Sequence, residues 1–168
     1  MKRIGVISDT HGYIDDRILH HLSSCDEVWH AGDIGSLEVT DQISKVSHLR
    51  AVYGNIDDAN VRREFRETIS FTCEGAHIIM THIAGRPGKY PKDLNMYLHR
   101  ERPNIFVCGH SHLLLVQMNK PLQMLHINPG AAGVKGFHKQ RTLIRFSLNN
   151  GKPSDLEVVE LGARGGLT

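Results

Sequence analysis

An α/β fold of two stacked mixed β-sheets flanked by helices is what this 168-residue chain predicts. Three observations carry the prediction. In the first half, short apolar runs alternate with segments of helical period, as strands do when right-handed helical crossovers join them into a parallel sheet. In the second half, period-two alternation and turn signals add antiparallel strands. Five of the apolar runs, moreover, stop at a residue able to bind a metal ion.

The first run, Ile4-Gly5-Val6-Ile7, reads as a strand. Ile14, Ile18 and Leu22 then recur on one helical face, with Asp15 and Asp16 at the helix start, where carboxylates are favoured. Val28-Trp29 marks a second strand, residues 36–48 a helix burying Leu37, Ile43 and Val46, and Ala51-Val52-Tyr53 a third strand. Over residues 64–72, Phe65, Ile69 and Phe71 alternate with Arg66, Thr68 and Ser70, the period of a half-buried strand. Glu74-Gly75 turns that strand into the Ile78-Ile79-Met80 run as an antiparallel hairpin. Residues 85–91 hold two glycines and two prolines and form a loop; a helix follows over 92–100, then the strand Ile105-Phe106-Val107-Cys108. Residues 113–116 and 122–127 flank a turn at Asn119-Lys120-Pro121, and residues 143–146 and 156–159 flank another at Asn149-Asn150-Gly151. The expectation is a parallel half and an antiparallel half, with a frayed tail over residues 162–168.

At this length, with no repeat, low-complexity tract or linker, one domain spanning residues 1–168 is the economical reading. A formal charge of +2 and 6% aromatic residues offer neither a basic track nor stacking platforms, so no specific nucleic-acid binding is expected. No apolar stretch approaches the roughly 20 residues a membrane helix needs. Met1-Lys2-Arg3 precedes only a short apolar stretch ending at Asp9, so no secretory signal is expected. Cys25, Cys73 and Cys108 are odd in number and widely spaced, matching neither a disulfide framework nor a thiolate zinc pattern; the reading is a cytoplasmic protein.

The metal donors are Asp9 and His11 after the first run, Asp33 after the second, Asn55 after the third, His82 after the fourth, and His110 and His112 after the fifth. Each element alone is weak: Gly32-Asp33 and Gly54-Asn55 are turn signals first. If the runs are strands of one sheet, however, all seven donors converge on the rim at the carboxyl ends of the strands, where open α/β sheets bind ligands. A set of carboxylate, amide and imidazole donors without thiolate suits Mn²⁺, Fe²⁺, Zn²⁺, Ni²⁺ or Mg²⁺.

Asp9-Thr10-His11, Gly32-Asp33, Gly54-Asn55, His82 and Gly109-His110-Ser111-His112 together resemble the ordered motifs of the calcineurin-like metallophosphoesterase superfamily. The short chain, and Asp57 two positions after Asn55, are most similar to its small YfcE-type phosphodiesterase family. The resemblance implies the four-layer αββα sandwich of that superfamily and two divalent ions, with manganese the first expectation. It places Asp9, His11 and His112 on one ion, Asn55, His82 and His110 on the other, and Asp33 between them. It further implies hydrolysis of a small phosphoester, preferentially a diester, by in-line attack of a metal-bridging hydroxide, with Asp33, Asn55 and His110 in the catalytic machinery and a homodimer as the assembly.

Ile56 stands where many members of the superfamily carry a histidine that helps the leaving group depart. Loss of such a group forfeits about 10² to 10⁴ in rate when the leaving group is basic, so diesters with good leaving groups are favoured. Further substrate contacts are sought at Asp57, Arg86, Lys89, Asn128 and His138, each with an open alternative. Asp57 would otherwise cap a turn, Asn128 end a strand, and Arg86, Lys89 and His138 lie in solvent. A second reading is a non-catalytic scaffold, since the protein-binding retromer subunit Vps29 is similar in fold; a complete donor set favours the enzyme.

Overall fold

The structure is a computed structural model, described here over residues 1–165. In chain order its elements are β1 (Lys2–Ile7), α1 (Asp16–Ser23), β2 (Glu27–His30), α2 (Leu37–Val46), β3 (His48–Ala51), α3 (Ala59–Glu64) and β4 (Thr68–Cys73). There follow β5 (Ala76–Thr81), α4 (Lys92–Glu101), β6 (Ile105–Val107), β7 (Leu114–Asn119), β8 (Met124–Pro129), β9 (Gln140–Asn149) and β10 (Lys152–Ala163).

The strands form two five-stranded sheets, ordered β10-β9-β1-β2-β3 and β4-β5-β6-β8-β7. In the first, β1, β2 and β3 are parallel and β9–β10 add antiparallel. In the second, β5, β6 and β8 are parallel, with β4 and β7 antiparallel at the edges. Two expectations are thereby corrected. The five ligand-bearing runs belong to two sheets, three to the first and two to the second, so the donors meet across the sandwich. Parallel pairing also recurs in the second half, because β6 and β8 run side by side while the β9–β10 hairpin returns to the first sheet.

Alternation along the strands builds the layers. Ile4, Val6, Trp29, Ile78, Met80 and Phe146 point between the sheets, where Trp29 meets Phe71 and Phe146 edge-on at 5.4 and 5.7 Å. Ile7 and Val28, on the opposite face of the first sheet, pack on Ile18 and Leu22 of α1 and Ile43 of α2. Ile79 and Phe106 of the second sheet pack on Leu98 of α4. The result is the expected helix–sheet–sheet–helix sandwich.

Asp15 caps α1 by accepting from Ile18 N at 2.8 Å, and Ser36 caps α2 by accepting from Glu38 N. The second helix is shorter than expected: His48 already begins β3. α3 went unforeseen, and Phe65, assigned from alternation to a strand, closes that helix instead. The β4–β5 and β9–β10 hairpins turn through Glu74-Gly75 and Asn150-Gly151, both pairs at positive φ as a type I′ turn demands. Fraying from residue 162 is overturned: Gly162 and Ala163 pair with Arg141 and Gln140, and Arg164 N bonds Lys139 O at 2.9 Å. Residues 166–168 lie outside the described part. No helix among the described residues is long and apolar enough to cross a membrane.

Candidate metal centre

β1, β2, β3, β5 and β6 each deliver polar residues on the loop at their carboxyl end, and backbone bonds stitch these loops together. Asp9 N and His11 N donate to Gly32 O and Asp33 O, tying the β1 loop to the β2 loop. Gly109 N donates to His82 O at 3.0 Å, tying the β5 and β6 loops. Across the two sheets, His110 N donates to Asp9 Oδ2 at 3.1 Å. Asp9, His11, Asp33, His110 and His112 all adopt positive φ between 47° and 71°. Such conformations cost about 1–2 kcal/mol each in an L-residue and persist where surrounding contacts over-determine them.

The side chains gather into two groups, Asp9 with His11 and His112, and Asp33 with His82 and His110. Asp9 gives Oδ2 to Ser8 Oγ and His110 N, leaving Oδ1 3.2 Å from His112 Nε2. Asp33 gives Oδ1 to Ile56 N, leaving Oδ2 3.4 Å from His11 Nε2 and 3.2 Å from His82 Nε2. Asp33 therefore reaches both groups with one oxygen, at shorter range than Asp9, whose Oδ1 lies 3.8 Å from His82 Nε2. Asp9 Oδ1, His11 Nε2 and His82 Nε2 are buried without a hydrogen-bond partner. Orphaned lone pairs of this kind are costly unless a ligand satisfies them. These donors, all oxygen and nitrogen, fit two divalent cations.

The ring nitrogens facing away from the centre fix its tautomers. His82 Nδ1 lies 2.7 Å from Ala31 O, which can only accept, so Nδ1 carries the proton and Nε2 presents a lone pair. His138 Nε2 lies 2.8 Å from Gly133 O and is protonated by the same logic. Its Nδ1 then accepts from His112 Nδ1 at 3.1 Å, turning the lone pair of His112 Nε2 inward. Burial lowers the pKa of His138, which keeps it neutral for this role. Burial also works against charge on His82, but the Asp33 and Asp9 carboxylates outweigh it and raise its pKa. Burial lowers that of His11 despite the same two carboxylates.

Close packing leaves no room for a side chain at several glycines, Gly54 and Gly136 among them. A Cβ at Gly54 would collide with the Asp33 carboxylate, and one at Gly136 with the His112 ring.

The proposed substrate contacts separate in space. Asp57 is 4% exposed and accepts from Gly54 N and Ile34 N on Oδ2 and from Gly35 N on Oδ1, so its carboxylate clamps the loops carrying Asp33 and Asn55. Asn128 is 2% exposed and holds Gly109 O, Ser111 Oγ and Gly130 N. His138, expected at substrate or in solvent, is 8% exposed and braces His112. We assign these three to positioning, because their polar atoms are already engaged. Arg86 and Lys89 are exposed and line a cleft beside the centre. Asp33, Asn55 and His110 face one cavity of about 350 Å³, with Ile56, 45% exposed, on its rim.

Arg62 was missed from the sequence: it donates to Asp57 O at 2.7 Å and Asn55 O at 3.2 Å, anchoring the Asn55 loop. Only recognition of α3 would have pointed to it. His30 bonds Thr10 Oγ1 and Gly32 N beneath the site.

Two outcomes follow. Asp57→Ala strands three backbone N–H groups and is expected to lower stability by about 3 kcal/mol, read from denaturant unfolding. His138→Ala removes the brace behind a ligand and is expected to weaken metal binding about 10- to 100-fold, read by calorimetry with a native circular dichroism spectrum.

A probable metallophosphoesterase of Methanocaldococcus jannaschii is 27% identical to this chain over 137 residues, covering 78% of the chain and 68% of the relative. One of Methanothermobacter thermautotrophicus is 24% identical over 166 residues, covering 95% and 93%. Among solved structures, wild-type Vps29 of Entamoeba histolytica complexed with Zn²⁺ superposes with a TM-score of 0.71 at 18% identity, covering 94% and 98%. The calcineurin-like phosphoesterase superfamily domain matches residues 1–151, and with that match the chain belongs to the calcineurin-like phosphoesterase superfamily.

Proposed function

We propose that this protein is a phosphodiesterase of the YfcE-type branch that works with two divalent ions, manganese first among them. One observation carries the reading: the free Oδ2 of Asp33 faces a histidine of each ligand group, so one carboxylate serves both. When bound, the ions supply an acidified water and a clamp on phosphate oxygens. The residues do the rest. Asp9 and Asp33 would supply the negative charge that holds the ions, with one oxygen of each immobilised by the protein. Asn55 and His110 stand at the open side of the cavity, where a phosphate oxygen enters. Ile56, on the same rim, has no proton to give.

The expected consequence is a steep dependence on the leaving group. Metal-stripped protein reloaded with Mn²⁺ should hydrolyse bis(p-nitrophenyl) phosphate and cleave alkyl diesters about 10² to 10⁴ more slowly than a homologue bearing the histidine. Equal rates on aryl and alkyl esters would remove the role given to Ile56.

The scaffold reading draws on the Vps29 likeness in fold and on the exposed Ile56, Leu113 and Phe137 around the cavity. A Vps29 is itself complexed with Zn²⁺, so bound metal alone does not separate enzyme from scaffold. Turnover does. The proposed setting is the cytoplasm, supported by three buried free cysteines that suit a reducing compartment.

A further inference from the structure

We propose that the cleft beside the metal centre is a second binding site, which receives an ester arm bearing its own anionic group on an apolar spacer. The inference rests on the phosphoesterase reading and names the substrate class: phosphodiesters with a second negative charge, a phosphate before a carboxylate.

The cleft has a volume of about 600 Å³, and its lining includes Arg86, Lys89, Ser111, Leu113, Leu114 and Leu115. Ser111 and Leu113 also line the cavity of the metal centre, so the two spaces adjoin at the segment that leads from His110 into β7. One wall is apolar: Leu113 is 69% and Leu114 41% exposed, which leaves two large hydrocarbon side chains facing open space. Such clustered exposure marks a binding surface more often than an isolated leucine does.

The other wall is cationic. Lys89 N donates to Arg86 O at 2.9 Å, closing a four-residue turn with Pro87 and Gly88 at its centre. Gly88 has φ 83°, the value the third position of a type II turn requires, and proline suits the second. The turn is anchored on its far side, where Tyr90 Oη lies 2.7 Å from His126 Nδ1 and its ring stacks on that of His126. Both cations are thus carried on a pre-formed turn at one edge of the cleft. Among the described residues neither forms a salt bridge.

Two unpaired cations facing an apolar wall recognise an anion at the end of a hydrocarbon or aromatic body, with the guanidinium able to grip two oxygens at once. The same pair rejects a cationic arm. A phosphate dianion gains more from two cations than a carboxylate does.

The test uses p-nitrophenyl diesters, so that the leaving group stays constant. The second arm is a butyl chain ending in methyl, hydroxyl, carboxylate or phosphate. With Mn²⁺-loaded protein at low ionic strength, the phosphate-ended arm should lower KM about tenfold against the hydroxyl-ended one, the scale of one or two charge-assisted contacts. The carboxylate-ended arm should fall between. In Arg86→Ala/Lys89→Ala both advantages should vanish. Calorimetry supplies a readout without turnover: butanediol bisphosphate should bind about tenfold tighter than butyl phosphate, and equally in the double variant. Equal KM for all four arms, or an advantage that survives the double substitution, overturns the cleft. If none of the esters is cleaved, the phosphodiesterase reading fails, and the calorimetric comparison alone decides whether the cleft binds anions.

Discussion

Asp33→Asn is expected to abolish the two-ion centre while leaving the fold intact. The side chain keeps its shape, but the oxygen that faces both His11 and His82 loses its charge. Two divalent cations sharing a site repel strongly, and only anions between or beside them offset that repulsion. Asp9 alone is left, with its free oxygen close to His112 at 3.2 Å and farther from His11 and His82, both at 3.8 Å. Metal content should fall from two ions to at most one. Transition-state stabilisation worth several kcal/mol goes with the second ion, so turnover should drop about 10³-fold at about 1.4 kcal/mol per tenfold. Metal analysis and steady-state rates check this together, and a native circular dichroism spectrum separates loss of the site from loss of the fold. A variant that keeps both ions and a tenth of the rate would show that Asp33 is not the shared ligand.

The stripped protein should also lose stability steeply in mild acid. His30 and His126 are fully buried, and burial holds each pKa near about 4. His30 accepts from Gly32 N on one nitrogen and bonds Thr10 Oγ1 with the other, so a second proton would break a bond as well as bury a charge. His126 lies between Tyr90 Oη and Cys108 Sγ. In the unfolded chain both histidines take up a proton near the ordinary value of about 6.5. Unfolded protein thus binds more protons than native protein in this window. The stability they lend is complete above about pH 6.5 and is lost as pH falls toward about 4, roughly 3 kcal/mol for each. His11, His21 and His138 shift in the same direction, and His82, held up by the Asp33 and Asp9 carboxylates, shifts in the other. Urea midpoints of stripped protein between neutral pH and about pH 4.5 should fall steadily, and His126→Gln should flatten the slope. A flat profile in the native sequence would contradict the burial argument.

How much of this was legible in the sequence depends on how local the deciding interaction is. Strand ends could be read because an apolar run must stop where the chain leaves the core, and each of the five runs stops at a donor. α1 and α2 could be read from their apolar faces, and α1 also from the carboxylates at its start. α3 could not: with six residues and only Val61 buried it leaves no period to count. The partners of β9 were equally hidden, since its buried face would suit either sheet and its pairing with β1 spans nearly the whole chain. In the site, the six side chains that gather into two groups were visible, but what supports them was not. Asp57, Asn128 and His138 are polar residues near a rim, and nothing in their spacing tells whether they face a substrate or a backbone amide. The structure gives Asp57 to three amides and His138 to the ring of His112. The left-handed backbone at five of the donors was invisible for the same reason, being imposed by contacts from distant loops.

The central claim is that two ions held around Asp33 hydrolyse phosphodiesters. Its most direct measurement is a titration of metal-stripped protein with Mn²⁺, following bis(p-nitrophenyl) phosphate hydrolysis and bound metal in the same samples. Stripped protein should be inactive, and the rate should saturate only as the second equivalent of metal binds. Full activity at one equivalent would contradict the shared-carboxylate centre, and two bound ions without hydrolysis would leave a metal-binding scaffold in place of an enzyme.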